Sequence, residues 1–297
     1  VADKDNHRVF IWKKIPFSDG WNADISLGQP GMDERDANRG DFENVQQDTL
    51  SFPTGVFYDV ENDKVFVVDQ GNHRVLIWNS LPRDTGQPAD VVIGQKDFVS
   101  RSPNMGKGEN RASQDSMYFP RDVIAGKTGL FVSDSGNNRV LYWKEIPTEN
   151  GQPADMVFGQ TNFFDNRYNR NGTANASTLN DPYGLWLEEE ENPEWTPPEE
   201  SALEKTQEEE ILDESSPEEG AEEDAAEEEI PEYLFKLFIA DRGNSRVVVW
   251  NELPVTSKEE DEHEDDEIEI EDSNLLMGED DYSVDEEDSP PEELPSV

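Results

Sequence analysis

The sequence predicts an all-β fold assembled from a repeated four-stranded antiparallel unit, and two observations predict it. One stretch is written four times along 297 residues: "VADKDNHRVFIW" at 1–12, "FVVDQGNHRVLIW" at 66–78, "FVSDSGNNRVLYW" at 131–143 and "FIADRGNSRVVVW" at 238–250. Around each copy lie short runs rich in Val, Ile, Phe, Tyr and Trp, bounded by Gly, Pro, Asn and Asp, which is how strands are punctuated.

The Asp of each copy marks the period. Asp3, Asp69, Asp134 and Asp241 are 66, 65 and 107 residues apart, and removing the 45-residue acidic stretch 188–232 leaves 62 for the last interval. A period of about 65 residues signals an array or a ring of supersecondary units.

The first copy begins inside a strand: "VAD" matches the end of the second run of a unit, so 1–28 is expected to be a partial unit of a longer array. The second copy, 52–95, contains all four runs: "TGVFYDV" (54–60), "KVFVVD" (64–69), "RVLIW" (74–78) and "DVVIG" (90–94). The third, 119–160, repeats them as "DVIA", "LFVSD", "RVLYW" and "DMVFG". In the fourth, 182–282, "YGLWL" (183–187), "LFIAD" and "RVVVW" supply three, and "SNLLMGEDDY" at 273–282 aligns with "ADVVIGQKDF" and "ADMVFGQTNF" to supply the last. Four-stranded units at a fixed period, apolar on both strand faces, suit the blades of a β-propeller better than a sandwich. Three complete blades and one partial blade are expected.

Charge separates this body from its insertions. The net charge is −46, of which −40 falls in 188–232 and 258–297. Such segments repel themselves and hold too little apolar surface to offset ordering entropy, so 188–232, 258–272 and the tail 283–297 are expected to be disordered. They also repel phosphate backbones, and nucleic acid is not an expected partner. Loose association of divalent cations with them is the most that their carboxylates suggest, since the spacing of a dedicated calcium loop is absent. No run of about 18 apolar residues exists to span a membrane. The chain has no cysteine, which excludes disulfides and thiol chemistry without fixing a compartment.

Inside the repeat, Asp69, Asp134 and Asp241 are expected to accept backbone N–H groups of the turn that follows. Asn72, Asn137 and Asn244, beside a Gly, are expected to supply the positive φ angles of a tight hairpin. Arg74, Arg139 and Arg246 open the next strand within reach of that Asp. Trp78, Trp143 and Trp250 share a strand face with the Arg by period-two counting and are expected to pack between blades. A ligand site seldom needs one residue in every unit, whereas a fold does, so these positions are read as structural.

Asp-x-Gly-Asn-x-Arg-Val, preceded by "FPTGV"-like segments and followed by a hydrophobic strand, resembles the NHL repeat, in its bacterial long-loop form with "GQPADVVIGQ" and "ASTLNDPYG". The resemblance covers roughly 1–187 and 233–257. It implies a propeller without implying one shared function, since similar proteins include sensor ectodomains, platforms for protein or RNA, and a few metal-dependent lyases using His ligands at the central channel. Here His7 and His73 sit at turn tips and His263 in an acidic stretch, so neither a metal site nor a cofactor is expected.

No nucleophile, catalytic triad or phosphate loop stands out, and a non-catalytic binding scaffold is favoured. The alternative is a piece of a propeller lyase or hydrolase whose catalytic residues lie outside this chain. The long connections between units, roughly 29–51, 96–118 and 161–180, carry Phe98, Arg101, Arg111, Phe163, Phe164, Arg167, Tyr168 and Arg170. That mixture of aromatic and guanidinium groups suits recognition of a protein or a glycan. An extracellular or periplasmic setting is favoured, in which Asn171-Gly-Thr and Asn175-Ala-Ser would match the glycosylation pattern.

Overall fold

Every described element longer than a single turn is a strand, as the β-branched and aromatic runs require. The computed structural model describes residues 1–15, 18–109, 111–193, 195 and 233–251. They belong to the unit Val1–Thr256. The expected insertion 258–272, the strand within 273–282 and the tail 283–297 lie outside the described residues, as does most of 188–232.

Sheet 1 contains β1 (Ala2–Asp3), β2 (Arg8–Ile11) and β3 (Ile25–Leu27). Sheet 2 contains β4 (Pro53–Asp59), β5 (Lys64–Asp69), β6 (Arg74–Trp78) and β7 (Val91–Ile93). Sheet 3 repeats it with β8 (Asp122–Gly126), β9 (Gly129–Asp134), β10 (Arg139–Trp143) and β11 (Met156–Phe158). Sheet 4 has β12 (Pro182–Glu191), β13 (Tyr233–Asp241) and β14 (Arg246–Trp250). Within each sheet the strands are antiparallel and follow chain order.

The absence of apolar/polar alternation in β6 and β10 has a direct cause: both faces of these strands are covered. Val75 and Ile77 pack into one cluster with Val123, Val132, Leu141 and Trp143 of sheet 3. Leu76 and Trp78, pointing the other way, join Val9, Ile25 and Leu27 of sheet 1. Sheet 3 repeats the arrangement toward sheet 4, where Val140, Tyr142 and Phe158 meet Leu237 and Ile239. The expected placement of the Trp side chains between sheets therefore holds for Trp78 and Trp143, both 1% exposed. The leading strands also touch: Thr54 donates to the carbonyl of Arg121 at 2.8 Å, and the Leu185 N–H donates to Asp122 at 2.9 Å.

Two expectations are corrected. Composition predicts loss of order from residue 188, yet Glu188–Glu191 continue β12 and pair with Tyr233–Lys236. Composition is blind to the partners: Glu188 lies opposite Lys236, while the Glu189 carboxylate accepts the N–H groups of Lys127 and Thr128 and the Thr128 hydroxyl in the sheet 3 hairpin. The repeat Asp residues also do not cap their own turns. Each turn is a single 3-10 turn whose positive φ falls on His7, His73, Asn138 or Ser245 rather than on the Gly-Asn pair.

The Gly is needed for a different reason. Gly71 N–H donates to the Ser51 carbonyl at 2.8 Å, and a Cβ on Gly71 would stand 2.5 Å from Ser51 Oγ and 2.8 Å from that carbonyl. Only a residue without a side chain lets the turn approach the incoming chain so closely.

Candidate functional site

The repeated constellation ties each incoming connection to its own sheet. Asp69 is wholly buried and accepts the Ser51 N–H at 2.6 Å, Asn72 Nδ2 at 2.8 Å and Arg74 Nε at 2.7 Å. Burial pushes its carboxyl upward in pKa, against the pull of Arg74, Asn72 and the Ser51 N–H. The remaining Arg74 nitrogens donate to the carbonyls of Phe98, Gln46 and Thr49, so the guanidinium clamps two successive connections. Asp134 and Arg139 repeat this with Tyr118 N–H, Asn137, and the carbonyls of Phe163, Ser113 and Ser116. Asp241 and Arg246 repeat it with Asn180 N–H, Asn244, and the carbonyls of Asn175 and Thr178.

The connections carry their own anchors, which sequence reading missed. Asn38, Asn104 and Asn169 adopt left-handed φ angles of 47°, 48° and 48° and exchange amide hydrogen bonds with the repeat residues Asn72, Asn137 and Asn244. Their spacing, 66 and 65 residues, was the signal available in the sequence. Gln95 and Gln160, after the last strand of their units, each donate Nε2 to three backbone carbonyls. The loops are therefore scaffolded from below.

The turn tips lock one sheet to the next. His7 Nδ1 accepts the Phe52 N–H at 3.0 Å, His73 Nδ1 accepts the Phe119 N–H at 3.1 Å, and Asn138 Oδ1 accepts the Asp181 N–H at 2.9 Å. His73 is buried against the rings of Tyr118 and Phe119, and burial, with the nearby Arg101 charge, lowers its pKa to about 4. A neutral imidazole whose Nδ1 already accepts a hydrogen bond is a structural acceptor. Among the described residues no group of three His, Asp or Glu side chains gathers to hold a metal.

Above this lock lies a cavity of about 760 Å³ between the connections 29–51 and 96–118. Its walls include Phe42, Phe52, Phe119, Val99 and Met105, with Glu43, Lys96 and Arg101 at its polar edge and His73 and Gln95 beneath. Arg101 stacks its guanidinium 4.1 Å from the centre of the Phe42 ring and pairs with the Glu43 carboxylate.

Of the expected recognition residues, only Arg101 lines this cavity. Phe98 and Phe163 lend their carbonyls to the Arg clamps and pack their rings against core clusters. Arg170 turns back onto the carbonyls of Gly159 and Gln160. Arg111 and Arg167 are exposed on separate connections. Phe164 and Tyr168 are exposed on the connection 161–180, away from the cavity lining. Missed were Phe42, Phe52, Phe119 and Met105. Phe52 and Phe119 occupy the leading edge of strand runs, where an aromatic residue reads as core.

No helix among the described residues is long and apolar enough to cross a membrane. No family model and no curated protein matches the chain.

Proposed function

We propose that this chain is part of a β-propeller of the NHL-repeat type and that it serves as a non-catalytic scaffold binding a protein or a glycan through the connections between its sheets. The ring reading is supported by consecutive antiparallel sheets stacked through a repeated interface and by the contacts of the leading strands, β4 with β8 and β8 with β12.

The observation that carries the binding reading is the cavity between the connections 29–51 and 96–118. Its volume falls in the ordinary range for ligand sites, and half-exposed apolar side chains converge in it beside cations. The walls offer exposed aromatic surface beside a fixed guanidinium, a combination suited to recognition.

The test is a screen of immobilised glycans and displayed peptides against the whole chain, with Phe42→Ala as comparison. Binding that weakens in the variant is expected. Hits unaffected by Phe42→Ala, or no hits, would remove the cavity as the site.

A further inference from the structure

We infer that the cavity between the connections 29–51 and 96–118 takes a peptide segment of a protein partner, with a large apolar side chain seated among Phe42, Phe52 and Phe119 and an adjacent carboxylate facing Lys96 and Arg101. This rests on the binding-scaffold reading and narrows it.

The apolar half comes from side chains held open to solvent. Phe42 is 50% exposed, Phe52 39%, Phe119 40% and Val99 59%, and all four line the same cavity. Two of them are held there against backbone preference. Phe52 and Phe119 have φ of 50° and 46°, a left-handed conformation in which a bulky residue is an outlier and Asn or Asp is far better tolerated. The corresponding position of sheet 4 is Asp181, at φ 51°. Phe at the first two positions therefore costs backbone energy without gaining full burial, the pattern expected where exposed aromatic surface is used.

The polar half is cationic in a strongly anionic chain. Lys96 and Arg101 line the cavity with one lining carboxylate, Glu43, while Asp97, beside Lys96, is not part of the lining and His73 is held neutral by its surroundings. At physiological salt, charges beyond about 8 Å are largely screened, so local cations decide what docks. Glu43 keeps 78% of its side-chain surface in solvent, so its pairing with Arg101 opens readily to an incoming carboxylate. The stacked guanidinium stays fixed over Phe42 and presents its donors as a fork.

A sugar fits this wall less well. All three rings are Phe, and the Gln95 amide nitrogen is already committed to the carbonyls of Asn72, His73 and Ser102, so that Gln95 keeps one unpartnered acceptor, Oε1, and no donor for a sugar hydroxyl. Hydroxyl groups pressed against Phe52 and Phe119 would lose water without replacement partners. An apolar side chain loses nothing by entering, and the carboxylate finds charge-assisted donors.

The experiment uses the full chain and three blocked tetrapeptides, Ser-Phe-Asp-Ser, Ser-Phe-Asn-Ser and Ser-Gly-Asp-Ser, with affinity read by NMR titration. Ser-Phe-Asp-Ser should bind, the other two at least fivefold more weakly, and Phe42→Ala and Arg101→Gln should each weaken it about tenfold. Equal binding of the Asp and Asn peptides, or insensitivity to both substitutions, overturns the proposal. A uronic-acid tetrasaccharide provides the control arm. If it binds with Phe42 dependence while the peptides do not, the peptide proposal fails and the scaffold reading stands. If neither binds, both fail.

Discussion

Substituting His73 by Asn isolates a pH dependence that the fold builds into a single side chain. His73 accepts the Phe119 N–H, and its pKa in the fold is about 4 against an ordinary 6.5. Above pH 6.5 the ring is neutral whether the chain is folded or not, and the lock contributes fully. Below pH 6.5 the unfolded chain gains a proton that the folded chain refuses until about pH 4, so stability is lost across that window as pH falls. The gap of about 2.5 pKa units corresponds to roughly 3 kcal/mol when complete, and to roughly 2 kcal/mol at pH 5. Asn supplies an acceptor that does not titrate, and Asn138 already plays this part for the Asp181 N–H. Urea unfolding followed by Trp fluorescence at pH 7.5 and pH 5.0 should show the wild-type protein losing about 2 kcal/mol more than His73→Asn between those conditions. NMR titration of the imidazole provides an independent reading. A His73 that titrates near 6.5, or equal pH slopes in the two proteins, would refute the reasoning.

Four further substitutions test the scaffold. Arg139→Lys leaves several of the Asp134, Phe163, Ser113 and Ser116 acceptors without a donor in a buried site, and urea unfolding should show a loss of about 3 kcal/mol. Gly136→Ala sets a methyl against Tyr118 and should cost about 2 kcal/mol or more, whereas Gly184→Ala, with its nearest neighbour at 3.9 Å, should change the melting temperature little. Glu189→Ala frees the Lys127–Thr128 hairpin, and amide exchange at those two residues should quicken, with about 1 kcal/mol lost overall.

The strands were legible because the side chains that make them also state their periodicity. "RVLIW" and "RVLYW" became β6 and β10 with the predicted bounds, and their Arg and Trp share a buried face. What escaped was pairing across distance. The role of Asp69 depends on Ser51, 18 residues upstream, and nothing in a local window distinguishes that from a turn cap. Glu189 reads as one member of a charge run until the hairpin of another sheet supplies its donors. The cavity was half legible: Arg101 stands out as a guanidinium in a long connection, while Phe52 and Phe119 read as strand starts. Their exposure follows from a backbone twist that residue type argues against.

The turn-tip locks also link the sheets in one sense along the chain. In each of the three described cases the acceptor precedes its donor along the chain: His7 before Phe52, His73 before Phe119, Asn138 before Asp181. A substitution at one turn tip is therefore felt at the entry to the sheet that follows it.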